Sequence, residues 1–171
     1  CGVEYDRTHR FMNIIPAFAS YGMVASMHMP FSLGLEMVII PKFDSDQVGK
    51  YIRKYRPQHT LMVPAHYEKL MNSKEMKDGY MLDFFVTAGS GGDTMNAGLE
   101  AKLNGFLKER GAKFPLSQGY GMSEAAPVLA FTRPDDIKPG CVGQPTPSVQ
   151  AKFVNGELCC KGPNIMQGYY N

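Results

Sequence analysis

A chain of 171 residues with 44% apolar and 20% charged residues lies in the range of one compact folded unit, long enough to bury a core without disulfides or metal. A net charge of +2 spread over short stretches argues against a nucleic-acid surface; the densest basic run, KYIRKYR at 50 to 56, reads as a solvated helix face. The four cysteines, Cys1, Cys141, Cys159 and Cys160, have neither CxxC spacing nor a nearby histidine, and no run of 18 apolar residues is present, so the expectation is a reduced, cytoplasmic chain without a membrane span or zinc cluster.

NIIPAF at 13 to 18 reads as a short buried strand. In the following SYGMVASMHMPFSLG, Met23, Met27 and Phe31 recur every four residues, which predicts a helix with that stripe inward. The methionines fit core packing better than an adaptable tunnel. EMVII at 36 to 40 is a second strand. Asp44 followed by Gln47 resembles a capping box for a helix whose apolar stripe is Val48, Tyr51, Ile52 and Tyr55.

TLMV at 60 to 63 is a third strand, and Pro64 suits the first position of a helix through HYEKLM. LDFFVT at 82 to 87 is a fourth, running into the turn AGSGGDT. Met95, Leu99, Leu103, Phe106 and Leu107 then form a helical stripe that stops at Gly111, and FPLSQ at 114 to 118 is a fifth strand.

Strands that alternate with helices and carry apolar residues on both faces predict an α/β fold with a largely parallel sheet covered by helices on both sides. Loops 89 to 94 and 118 to 124 should then share the carboxyl edge, where such sheets bind ligands. Beyond residue 132 the chain turns rich in proline and glycine, and VQAKFV, Asn155-Gly156 and ELCCK form a strong hairpin signal. The expected division is 1 to 132 as an α/β nucleotide- and acyl-binding subdomain and 133 to 171 as a β-rich segment beginning a barrel-like one.

AGSGGDT (88 to 94), QGYGMSEAAP (118 to 127) and GELCCKGPNIMQGYYN (156 to 171), with PAFASYG at 16 to 22, carry a resemblance to the adenylate-forming superfamily. That group includes acyl-CoA and aryl-CoA ligases, peptide-synthetase adenylation domains and luciferases. The resemblance implies that Gly91, Gly92, Asp93 and Thr94 lie against adenine, where glycine lets backbone approach a flat ring. It also implies that Gln118, Gly119, Tyr120, Gly121 and Met122 continue this nucleotide site, with Tyr120 stacking on the base.

By the same resemblance Ser123 contacts the α-phosphate and Glu124 holds Mg²⁺, which accepts one carboxylate beside phosphates and water. PAFASYG matches P-x-F-H-x-x-G, with Ala19 in place of the common histidine, and places Phe18, Ala19, Tyr21 and Gly22 at an acyl pocket. The closing GYYN stretch is expected to be structural. A nucleophile-elbow reading of Gly121 to Ala125 fails because every histidine precedes Ser123 and no HGGG segment exists.

The expected activity is that of an ATP-dependent acyl-CoA ligase acting on a small carboxylic acid, with ATP, Mg²⁺ and CoA. A fatty acid is the first choice because the pocket segments lack charge; an aryl or amino acid, or a noncatalytic nucleotide-binding remnant, is the alternative. Both ends of the sequence look cut. The family's phosphate loop, ribose-binding aspartate and C-terminal lysine domain are expected in missing N- and C-terminal parts, and the piece alone is expected to fold without turning over.

Overall fold

The computed structural model describes residue 3 and residues 5–170. A seven-stranded sheet forms its centre, in the order β2-β1-β3-β4-β5-β6-β7. Strands β1 (Arg10–Asn13), β2 (Glu36–Ile39), β3 (His59–Met62), β4 (Thr87–Ser90) and β5 (Ser117–Gly121) are parallel, whereas β6 (Val128–Phe131) and β7 (Gln144–Pro145) add on antiparallel. Strands β8 (Gln150–Val154) and β9 (Glu157–Lys161) form a separate hairpin. Its turn residues Asn155 and Gly156 have φ of 52° and 85°, as an Asn-Gly type I′ turn requires.

The chain leaves β1 toward one edge and β3 toward the other. With right-handed crossovers, those two connections lie on opposite faces of the sheet and leave a crevice beyond the ends of β1 and β3. Helices α2 (Val48–Tyr55), α3 (Pro64–Asn72) and α4 (Ala97–Glu109) cover one face. There Val48, Ile52, Tyr67, Leu70, Leu103 and Leu107 pack on Met12, Met62, Ala88 and Leu116. A wide π-helix, Tyr21–His28, continuing into α1 (Met29–Ser32), covers the other. The amide of Met29 reaches back five residues to the carbonyl of Val24.

That wide helix corrects the predicted stripe. Met23 and Phe31 are each 55% exposed. Hydrogen bonds that reach back five residues widen the turn beyond that of an ordinary helix, so Val24, Ala25 and Met29 line the cleft and the predicted spacing leaves Met23 and Phe31 at the surface.

Three strands also fall elsewhere than expected. In NIIPAF only Asn13 is strand: Ile14 and Ile15 are buried beyond the end of β1, and Pro16 has no N–H to pair. Leu82 and Phe85 fill the core from an irregular segment, the strand itself being Thr87–Ser90. FPLSQ is strand only from Ser117, and the ladder runs on through Gly121. In both cases the apolar run anchors the approach, and the paired segment is rich in glycine and polar residues. An added Cβ at Gly89 would sit 2.3 Å from Leu61 Cδ2, so close packing excludes larger side chains. Tertiary packing overrides β-propensity here.

Asp44 and Gln47 form no reciprocal box. Gln47 Nε2 donates to Asp44 Oδ2 at 2.9 Å, Asp44 Oδ1 accepts from the Asp46 amide, and a 3₁₀ turn, Ser45–Gln47, leads into α2. α4 starts on Asn96, whose Oδ1 accepts from the Leu99 amide, and ends at Gly111 (φ 78°) with Ala112 N–H donating to Leu107 O. Its inward face keeps Leu103 and Leu107, with Met95 and Phe106 packed against the same core, and also takes in Glu100, only 2% exposed. Glu100 Oε2 accepts from the Gly140 amide at 2.9 Å, which ties the proline-rich segment after β6 to α4. Among the described residues no helix is long and apolar enough to cross a membrane.

Candidate functional site

Side chains on one face of β3, β4 and β5 follow from register: His59 lies beside Thr87, Leu61 beside Gly89, and Gly89 beside Ser117. Over this floor runs the wide helix, and between them is a cleft of about 570 Å³ that opens at the carboxyl ends of the strands. Its walls are largely apolar, with Val24, Ala25, Met29, Leu61 and Phe131 among them.

At the open end two glycine segments meet. The amide of Gly91 donates to Met62 O at 3.2 Å, holding the turn after β4 against β3. Tyr21 covers that turn: a Cβ added at Gly91 would lie 3.3 Å from the Tyr21 ring, and Gly92 has φ 78°. Burial pushes the Tyr21 phenol above its ordinary pKa, so it stays a neutral wall. Gly119 to Ser123 line the facing side, and Gln118 is buried at the seam between β4 and β5 with Nε2 unpartnered. Tyr120 and Met122 are each 40% exposed at the mouth.

Register shifts between Tyr120 and Gly121: Tyr120 pairs with Ala130 and Gly121 with Val128, leaving Leu129 as the extra residue on β6. The Met122 amide donates to Pro127 O at 2.8 Å, closing the loop around a 3₁₀ turn, Ser123–Ala125. Ser123 Oγ then faces Ser20 Oγ across the mouth at 3.1 Å.

The expected site residues therefore divide. Ala19, Tyr21, Gly91, Gly92 and Gln118 to Ser123 line one cleft. Asp93 and Thr94 lie outside its wall on an exposed turn in which Asp93 Oδ1 accepts from the Thr94 amide. Phe18 is 90% exposed and lies outside the cleft wall. Gly22 is buried against the backbone: an added Cβ would meet Pro16 O at 2.0 Å, so its place in the motif is a packing requirement.

Glu124 lies outside the cleft wall and accepts a hydrogen bond from Tyr169, which holds its carboxyl below the ordinary range. Its carbonyl accepts from the Met166 amide at 2.9 Å, and Asn164 Nδ2 donates to Ala125 O at 2.8 Å. The segment after β9 is thus bonded to the turn that carries Glu124, a contact the sequence reading did not foresee. The described residues include no cluster of three His, Cys, Asp or Glu side chains. A lone carboxylate fits Mg²⁺ when phosphate oxygens and water supply its other ligands.

Sequence reasoning also missed Ser20, Thr87 and His59. For Thr87 and His59 the missing signal was parity: once β3 and β4 are placed at 59 to 62 and 87 to 90, odd-numbered positions face the cleft. His59 is fully buried, and burial, followed by the charge of His9, pushes its pKa down to about 4. In the window between that value and the ordinary 6.5, the unfolded chain binds a proton that the folded chain refuses. Stability should therefore be intact above the ordinary value and fall by about 3 kcal/mol as pH drops through the window. A ring-proton NMR titration checks this: His59 stays neutral until below about pH 5 while the urea midpoint declines.

The family model described as AMP-binding enzyme matches residues 2–170. The chain is 34% identical to the long-chain-fatty-acid–CoA ligase of Bacillus subtilis (strain 168), over 97% of this chain and 31% of that protein. It is 29% identical to "Probable 4-coumarate--CoA ligase 1" of Dictyostelium discoideum, over 98% of this chain and 32% of that protein. The crystal structure of a long-chain-fatty-acid-CoA ligase from Archaeoglobus fulgidus superposes with a TM-score of 0.83 at 22% identity, covering 96% of this chain and 36% of that one. The chain spans about a third of the length of these relatives.

Proposed function

Because this chain belongs to the AMP-binding enzyme family, we propose that it is the nucleotide- and acyl-binding part of a ligase that activates an apolar carboxylic acid, of fatty-acid type, and passes it to CoA. The observation that carries this reading is the uncharged apolar cleft whose mouth holds Tyr120 and Ser123. The carboxylate oxygen attacks the α-phosphorus of ATP, pyrophosphate leaves, and the resulting acyl-adenylate is a better electrophile because AMP can depart. The CoA thiol then attacks the acyl carbon, giving up its proton and forming the thioester as AMP leaves.

In this scheme the backbone at Gly91 and Gly92 and the ring of Tyr120 hold adenine, and Ser123 donates to the α-phosphate. Glu124 is the residue that would hold Mg²⁺, which neutralises charge building on the phosphates. Wall residues exclude water and keep the carboxylate in line. An aryl acid is the second reading, favoured by Gly119 on the floor, where an added Cβ would meet nothing nearer than 3.7 Å. It accords with the 4-coumarate named in one relative.

ATP–pyrophosphate exchange by the longer parent protein tests both readings against fatty, aryl and amino acids. Exchange that requires an apolar acid is the expected result. Exchange driven by amino acids, or by none of the panel, would overturn the proposal.

A further inference from the structure

The cleft is apolar along most of its floor and polar at its inner end. On β4 the floor runs from Gly91 and Gly89 at the mouth to Thr87, which lines the cleft together with Tyr5. His59, fully buried, lies beside Thr87 in the register of β3 and β4. Its Nδ1 is 3.2 Å from Thr87 Oγ1, and its Nε2 is 3.0 Å from His9 Nδ1. The Tyr5 ring lies against His59 with centroids 4.8 Å apart. Three hydrogen-bonding side chains thus end on one hydroxyl at the cleft.

His59 is neutral, since desolvation first and then the neighbouring His9 disfavour its cation. If His59 carries its proton on Nδ1, that N–H donates to Thr87 Oγ1, and the threonine hydrogen is left to donate to a ligand oxygen. If the proton is on Nε2, it goes to His9 Nδ1, Thr87 donates to His59 Nδ1, and the lone pairs of Thr87 accept from a ligand O–H. Either tautomer leaves Thr87 with hydrogen-bonding capacity toward the cleft and no charge. None of the described residues lining the cleft is charged, so an ionised group at the inner end would be desolvated without a counter-charge. At the rise of a strand, Thr87 lies roughly 13 Å from Gly91.

We propose that the His9–His59–Thr87 relay sets substrate specificity, selecting acids that carry a neutral hydroxyl remote from the carboxylate over the same acids without it. The inference rests on the reading of the cleft as the acyl site.

Decanoate and ω-hydroxydecanoate are the probes, and their binding to this chain is measured by calorimetry. The unsubstituted protein should bind the hydroxy acid about tenfold more tightly. Thr87→Val should bring the ratio near one, and Thr87→Ser should retain the preference. In the unsubstituted protein, only the hydroxy acid should shift the His59 ring-nitrogen NMR resonances, a readout that needs no variant to fold. Equal binding of the two acids, binding of neither, or a preference that survives Thr87→Val would overturn the inference. Exchange assays on the parent separate it from the ligase reading: a Thr87-dependent preference without exchange removes the ligase and keeps the relay, and exchange without preference does the reverse.

Discussion

Replacing Glu124 by alanine in the parent enzyme is expected to lower adenylation roughly a thousandfold, while the thermal midpoint of this chain moves by no more than about 2 °C. Among the described residues the side chain makes one hydrogen bond, accepted from the Tyr169 hydroxyl, where water can replace it. The bonds that hold the turn run through its backbone, from Met166 to the Glu124 carbonyl and from Asn164 to the Ala125 carbonyl, and these survive truncation. Catalysis, in contrast, would lose the only acidic side chain of the QGYGMSE turn. Exchange assays at saturating Mg²⁺, with circular dichroism melts as the control, read both effects. Retained exchange would remove the metal assignment, and a collapse in melting temperature would show that Glu124 is structural.

Gly121→Ala is expected to do the opposite and destabilise the fold by about 3 kcal/mol or more. A Cβ there would lie 1.7 Å from Pro127 O, in the backbone of the returning strand, with no flexible side chain to move aside. The site sits where β5 shifts register against β6, so relief requires reopening the loop that closes through Met122 N–H and Pro127 O. Urea denaturation checks it by a lower midpoint at unchanged slope. A near-neutral result would mean that the shift of register yields easily. The same glycine that the motif presents as a nucleotide contact is thus first a condition for folding.

Glycine-rich strands explain where the sequence was hard to read. Thr87–Ser90 and Ser117–Gly121 bear the site, yet each has the composition of a turn, and the apolar runs beside them read as the strands instead. Helices with ordinary signals were legible: Pro64 opens α3, Gly111 closes α4, and Asn155-Gly156 makes the hairpin. The alternation of strand and helix gave the parallel sheet, but nothing in local pattern announced that β6 and β7 would join it antiparallel. For the site, the motif residues that converge on the cleft were named from a resemblance. His59 and Thr87, 28 residues apart, become neighbours only through strand register, and Tyr169 meets Glu124 only through the return of the chain after β9.

The wide helix Tyr21–His28 lines the cleft with Val24 and Ala25 and sets Met29 on the same wall because its turns are wider than those of an α-helix. Removing one residue from this segment would restore ordinary winding and rotate every side chain after it, turning Met29 out of the wall and bringing a different set of side chains onto it. The number of residues between Pro16 and β2 is therefore as strict a determinant of the cavity as their identities. A loop tolerates a gained or lost residue by bulging, but this wall would change its lining at every position beyond the change.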